Sequence, residues 1–225
     1  MKKLFELINK NFDSFHFLDV FRGKDKQELP IITISREKGS GGRPIAFLLI
    51  KKLGGSWKVY HKDIVDEIAK EANLEKELIE EVDEENVPLI EQMIDNVLGK
   101  EYMNLSTYYK HLVRVLSTIG NRGHAIIIGR GANFLFPDAL KVRIVCEMDE
   151  RIQKVMKYEK LSQKDAIDII NESDKKRTAF AKSLFQHDPR KAHHYDLIIR
   201  TGKKVSLEDA ADLIVNAAKQ RFGGR

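Results

Sequence analysis

A parallel α/β sheet is the fold class that this 225-residue sequence predicts. Three observations carry the prediction. Several short β-like runs are continuously apolar instead of alternating, which suits strands covered on both faces. Helical patterns separate the runs, and strand–helix alternation with right-handed crossovers builds a parallel sheet. The first run passes through a glycine-rich stretch straight into a helix, the usual form of a phosphate cradle.

The runs are 30–35, 56–60, 124–129, 140–147 and 195–200. Residues 44–53 read as a buried helix, with Pro44 in its first turn and Gly54-Gly55 as its stop. Some sixty residues between the second and third runs carry no strand signal, so 63–120 is expected to be a helical insertion. Residues 149–185 form a second helical stretch that turns basic at Lys175, Lys176 and Arg177. Leu207–Gln220 is a closing amphipathic helix, with Ser206 as N-cap and Asp209 three positions on. Residues 1–29 stand outside this pattern. Phe5, Ile8, Phe12 and Phe15 share a helical face there, fitting an accessory helix that packs on the core or on a second subunit.

Composition narrows the function. The net charge is +5, with both signs interspersed, which suits a phosphate-rich ligand. Zinc spacing, an aromatic RNA-binding signature and a basic helix with heptads are all lacking, so nucleic acid is not the expected partner. The start is broken by charges and lacks a cleavage-like site, and the apolar runs are too short to span a membrane. A soluble, cytoplasmic protein is expected. The single cysteine, Cys146, rules out an internal disulfide and reads as a small buried hydrophobe.

The chemistry centres on "ISREKGSGGRPIA", residues 34–46. Gly39, Ser40, Gly41 and Gly42 allow successive N–H groups to turn inward, and a following helix N-terminus adds positive potential. A cation must then reach the outer phosphates. The usual pattern places Lys and then Ser or Thr after the last loop glycine; Gly42 and Arg43 stand in those places. The cation is then Arg43, or comes from Lys38 or Arg36. A metal-holding hydroxyl has no clear replacement beyond Ser40 or Ser35, so the metal ligands are unknown. A second cluster, "GRGAN" at 129–133, follows the third run, at the sheet end where open α/β sheets bind ligands. It places Arg130 to meet a substrate phosphate or base, or to pair with a loop carboxylate. In a third cluster, Asp174 and Arg177 share a helical face. Arg177 and Lys176 could clamp a transferring phosphoryl group, or the lysines could belong to a solvated basic face.

The order of these clusters resembles the nucleoside monophosphate kinases, most closely the bacterial cytidylate kinases. Closer still is the cytidylate-kinase-like family, whose loop reads "SR-x-x-GSGG-R-x-IA". "GRGANFLFPDA" looks like a cytidylate kinase segment, "ESDKKR" like the lid arginine segment, and "YDLIIRTGKKVSLEDAADLI" like the last strand and helix. The resemblance covers residues 30–218. It implies a three-layer P-loop NTPase fold: a five-stranded parallel sheet, a helical monophosphate-binding insertion (about 63–120) and a lid (about 161–190), all within a domain spanning 30–225. It also implies ATP and Mg²⁺ as cofactors, and a nucleotide or small phosphorylated substrate. Gly39, Ser40, Gly41, Gly42 and Arg43 fall on the donor-phosphate loop, and Arg130 on an arginine that meets the monophosphate. Arg177 falls on a lid arginine, and Asp174 on an acidic partner in the acceptor site. Asp63 lies in the acceptor-site turn, and serves equally as a helix N-cap. The departures from ordinary cytidylate kinases are pointed: their catalytic lysine is Gly42 here, their loop threonine is Pro44, the aspartate after Arg130 that helps read cytosine is Gly131, and another sheet-end aspartate is Ile128. Two functions therefore follow. One is an ATP-dependent phosphotransferase catalysed through Arg43, Arg130 and Arg177. The other is a kinase fold that senses a phosphorylated ligand without turnover.

Overall fold

The computed structural model describes residues 30–63, 65, 107–185 and 187–223. The proposed N-terminal helix and most of the insertion lie outside them. Five strands form one sheet: β1 (Ile31–Arg36), β2 (Lys58–His61), β3 (Ala125–Ile128), β4 (Leu140–Cys146) and β5 (Leu197–Thr201). Their spatial order is β2-β3-β1-β4-β5, with β4 parallel to both β1 and β5. The sheet is the five-stranded parallel one that the apolar runs predict, and each run falls within two or three residues of its strand. Helices α1 (Gly42–Leu53), α2 (Thr107–Arg122), α3 (Ala132–Leu135), α4 (Met148–Glu159), α5 (Gln163–Phe185) and α6 (Leu207–Phe222) are those among the described residues. None is long and apolar enough to cross a membrane.

The chain divides into two compact units. The larger comprises Ile32–Val59, Ile126–Leu135 and Ala139–Arg225. Its core lies between the sheet and the α1/α6 pair. Ile32, Ile34, Val142 and Ile144 meet Ile45, Ala46 and Leu49 of α1 and Ala211 and Ile214 of α6, all essentially without solvent exposure. Small residues along α6 (Ala210, Ala211, Ala218) let the helix come close, and deep burial of such apolar surface is the main favourable term in folding. The opposite strand faces are buried too, at Thr33 of β1, Ile127 of β3 and Arg143 of β4, which explains why these runs do not alternate. A smaller cluster, Ile152, Val155, Ala166 and Ile170, binds α4 to α5. The predicted N-terminal cap of α6 is present in full: Ser206 Oγ accepts from the Asp209 N–H, and the Asp209 carboxylate accepts from the Ser206 N–H.

The other unit comprises Met1–Ile31, Tyr60–Ala125 and Phe136–Asp138. Among its described residues, α2 buries Leu112, Val115, Leu116 and Ile119. The Phe136 ring lies where a side chain at Gly120 would begin.

One boundary differs from expectation. The first helix begins at Gly42, not at Pro44, because Gly41 takes the N-cap position with φ of 90°. That left-handed turn is open chiefly to glycine, and it ends the loop two residues earlier than the proline suggests. Pro44 sits at the third helical position, where its missing N–H costs nothing.

Candidate active site

The glycine loop leaves β1 at Arg36 and enters α1 at Gly42. Gly39 and Gly41 hold φ of 82° and 90°, so the backbone coils tightly across this stretch. Ser40 is fully buried. Its hydroxyl donates to the Glu37 carbonyl at 2.9 Å, and its carbonyl accepts from Thr201 Oγ1 at 2.8 Å. The serine therefore ties the loop to the end of β5. Arg43 is exposed in the first turn of α1.

Around the loop lies a cluster of charges that sequence reading only partly anticipates. Arg177, from α5, donates to the Arg36 carbonyl at 3.0 Å. Arg151, from α4, donates through Nε to the Lys38 carbonyl at 2.7 Å and pairs with Asp174. Asp174 in turn accepts from the Lys38 backbone N–H at 2.9 Å and lies 3.7 Å from Arg177. Glu37 stands between Arg143 (3.5 Å) and Arg151 (3.6 Å) and accepts from the Cys146 N–H at 3.2 Å. These groups set three arginines against two carboxylates, an excess of positive charge where inter-residue attraction is weakly screened. Burial pushes the Arg177 guanidinium below its usual pKa, and the nearby Asp174 carboxylate opposes that shift. The Lys38 side chain pairs with Glu159 of α4.

Asp174 and Arg177 thus come together as helical spacing predicts; Asp174 meets the glycine loop at Lys38, and Arg177 meets the end of β1 at Arg36. Arg143, Arg151 and Glu37 were not anticipated. For Arg143 a signal was present: an arginine inside the apolar run "LKVRIVC" must find partners, because a buried lone charge is costly. Its partners are Glu37 and Ser35 Oγ (3.3 Å), and its guanidinium lies 5.7 Å from the Tyr195 ring centre. Arg151 carries no such signal in an ordinary charged helix.

The second cluster is held from two sides. Gly129, with φ of 80°, donates its N–H to the Ile34 carbonyl at 3.1 Å, so the end of β3 lies against β1. Arg130 has φ of 55° and its guanidinium lies 5.0 Å from the Phe180 ring centre on α5. At Gly131, φ is 69° and an added Cβ would fall within the Phe185 ring, 2.6 Å from Cζ. Phe185 begins an aromatic group: Phe134 meets Phe185, His187 and His194 at centroid distances of 5.2, 4.9 and 5.2 Å. Burial lowers the pKa of His187, and lowers that of His194 to about 4. The remaining predicted residue, Asp63, belongs to the smaller unit; its exposed carboxylate lies 3.4 Å from His61 Nδ1.

A parallel sheet in this strand order, with a glycine loop between its central strand and a buried helix, defines a P-loop kinase-like fold. The sequence matches the cytidylate kinase-like family over residues 31–203, and the chain belongs to that family. A solved structure of an uncharacterized protein from Eubacterium ventriosum ATCC 27560 is similar at a TM-score of 0.65 and 21% identity, over 85% of this chain and 99% of the other. That likeness concerns the fold. Shikimate kinase from Acinetobacter baumannii, in complex with shikimate, aligns over 86% of this chain and 95% of its own at 13% identity, with a TM-score of 0.46. Among curated proteins, a uronate isomerase from Corynebacterium glutamicum is 28% identical over 111 residues, 48% of this chain. The chain spans 21% of that relative's length.

Proposed function

We propose that the protein is an ATP-dependent phosphotransferase acting on a nucleoside monophosphate or a similarly small acceptor. The observation that carries this reading is the convergence of Arg151 of α4 and Arg177 of α5 on the backbone at the start of the glycine loop, at the Lys38 and Arg36 carbonyls. Phosphoryl transfer asks mainly for positioning and charge neutralisation, and this cluster supplies both. In this reading Gly39–Arg43 cradle the donor phosphates, Arg130 meets the acceptor, and Arg177 stabilises charge during transfer. Asp63 and Asp174 belong to the acceptor side. Residues 30–225 act as one kinase-like domain, with 161–190 as its lid and about 63–120 as its acceptor-binding insertion.

The loop's chemistry fits a triphosphate: backbone N–H groups at a helix N-terminus, with an excess of guanidinium beside them. It offers less to a metal. Ser40 spends its hydroxyl inside the loop, Pro44 has none, and no group of three His, Cys, Asp or Glu is gathered among the described residues. Mg²⁺ would then be held largely by phosphate oxygens and water, as this ion commonly is. The same observation favours a second reading, a family member that binds a phosphorylated ligand without turning it over.

A turnover assay with MgATP and a panel of nucleoside monophosphates, run beside calorimetry of the same panel, separates the two. Phosphorylated product supports the phosphotransferase. Saturable binding with no product favours the sensor. Absence of both refutes each.

A further inference from the structure

The phosphotransferase reading leaves open which side chain replaces the loop lysine, and the geometry points to Arg36. We infer that its guanidinium, delivered from the end of β1, carries the phosphate-binding charge that a lysine at position 42 would carry from the start of α1. The inference rests on the phosphotransferase reading and concerns the donor half of that site.

Two glycines on different elements make room for this one side chain. At Gly42, an added Cβ would lie 2.9 Å from Arg36 Cβ, 3.0 Å from Cγ and 3.6 Å from Cδ. The Arg36 stem therefore runs over the place where a lysine stem would start. Cβ cannot swing aside, because the backbone of β1 sets its position. A side chain at 42 and the arginine at 36 exclude one another, so the glycine at the lysine position and the arginine at the strand end form one linked exchange. At the far end, an added Cβ at Gly129 would overlap Arg36 Nη1 and lie 3.3 Å from Cζ. The side chain thus reaches from the donor loop to the end of β3, beside Arg130. Donor and acceptor phosphates would have to meet between these two landmarks.

A third contact registers the lid on the same residue, since the Arg36 carbonyl accepts from Arg177. Arg43, next to Gly42, is exposed instead. Arginine also suits the task chemically: it stays charged, and its planar fork can hold two phosphate oxygens at once.

The test is a set of exchanges read by calorimetric binding of MgATP and of inorganic tripolyphosphate, with melting curves as a check on folding. Arg36→Met keeps the stem over Gly42 and removes only the charge. It is expected to raise both dissociation constants about ten- to hundredfold, the range of a lost charged hydrogen bond. Gly42→Lys is expected to bind poorly as well, through collision with the Arg36 stem. The double exchange Arg36→Gly with Gly42→Lys rebuilds the ordinary arrangement and should recover affinity that each single change loses. If the parent binds both probes and Arg36→Met binds them equally well, Arg36 is not the cation, and the phosphotransferase reading survives. A parent that binds neither probe overturns both inferences together.

Discussion

Asp174 offers a perturbation with two opposed readouts. Its carboxylate accepts from the Lys38 N–H at 2.9 Å, pairs with Arg151 and lies 3.7 Å from Arg177. It therefore joins helix α5 to the glycine loop, and it occupies donors that a phosphate would also seek. Asp174→Asn keeps the shape and removes the charge. The amide oxygen can still accept from Lys38, but the amide nitrogen cannot accept from a guanidinium. Breaking a buried pair from one side costs about 3–5 kcal/mol. The Asp174 side chain is 30% exposed, against 8% for Arg151, so water screens part of the loss. We expect the ligand-free variant to be less stable by about 2 kcal/mol, which lowers Tm by roughly 4–8 °C in a chain of this size. Inorganic phosphate should offset more of that loss in the variant than it adds to the parent, because an anion takes over the vacated donors and linkage converts its affinity into stability. Differential scanning calorimetry with and without phosphate measures both effects. A variant that melts with the parent, or that gains no more from phosphate than the parent does, would refute the reasoning.

Other consequences can be checked alongside. Gly131→Asp, which introduces the aspartate that ordinary cytidylate kinases carry there, should not confer a cytosine preference. The new side chain displaces Phe185, so Tm should fall, and adding Phe185→Ala should recover part of the fall; unchanged stability in the single variant counts against the packing described for this turn. Gly41→Ala meets Leu207 at a backbone φ of 90° and should cost about 1–3 kcal/mol of stability, read from urea unfolding; a neutral result would mean the loop relaxes freely. His194 titrates near 4 in the fold because burial, then the neighbouring His187, His193 and lysines, disfavours its charged form. An ordinary histidine in the unfolded chain binds its proton near 6.5. Between these values the unfolded state holds more protons, so stability declines as pH falls from about 6.5 to about 4. His194→Gln should flatten the pH dependence of Tm in that window, and an equally steep dependence would contradict it.

Much of the fold is legible in the sequence because it depends on local or periodic features. Continuous apolar runs such as "AIII" at 125–128 mark strands buried on both faces, and backbone pairing follows from that burial whatever the neighbours are. Ser206 and Asp209 announce the start of α6 because a capping box lies within four residues. The glycines at 39 and 41 point to a coiled loop because their conformations are intrinsic to glycine. Pro44 misplaced the start of α1 by two residues, since proline is tolerated anywhere in a first turn while the φ of Gly41 ends the loop.

The charge chemistry of the loop was not decided by these local signals. Arg36, Lys38 and Arg43 are equivalent as letters in a string. Tertiary packing separates them: Lys38 pairs with Glu159, Arg43 is exposed, and Arg36 runs over Gly42 toward Gly129. Likewise Asp174 meets the backbone of the glycine loop, and Arg151 becomes part of the cluster only because α4 and α5 dock there. The physical reason is that backbone conformation responds to each residue's own chemistry and its near neighbours. The meaning of a charge, or of a missing Cβ, depends on which distant atoms share its space.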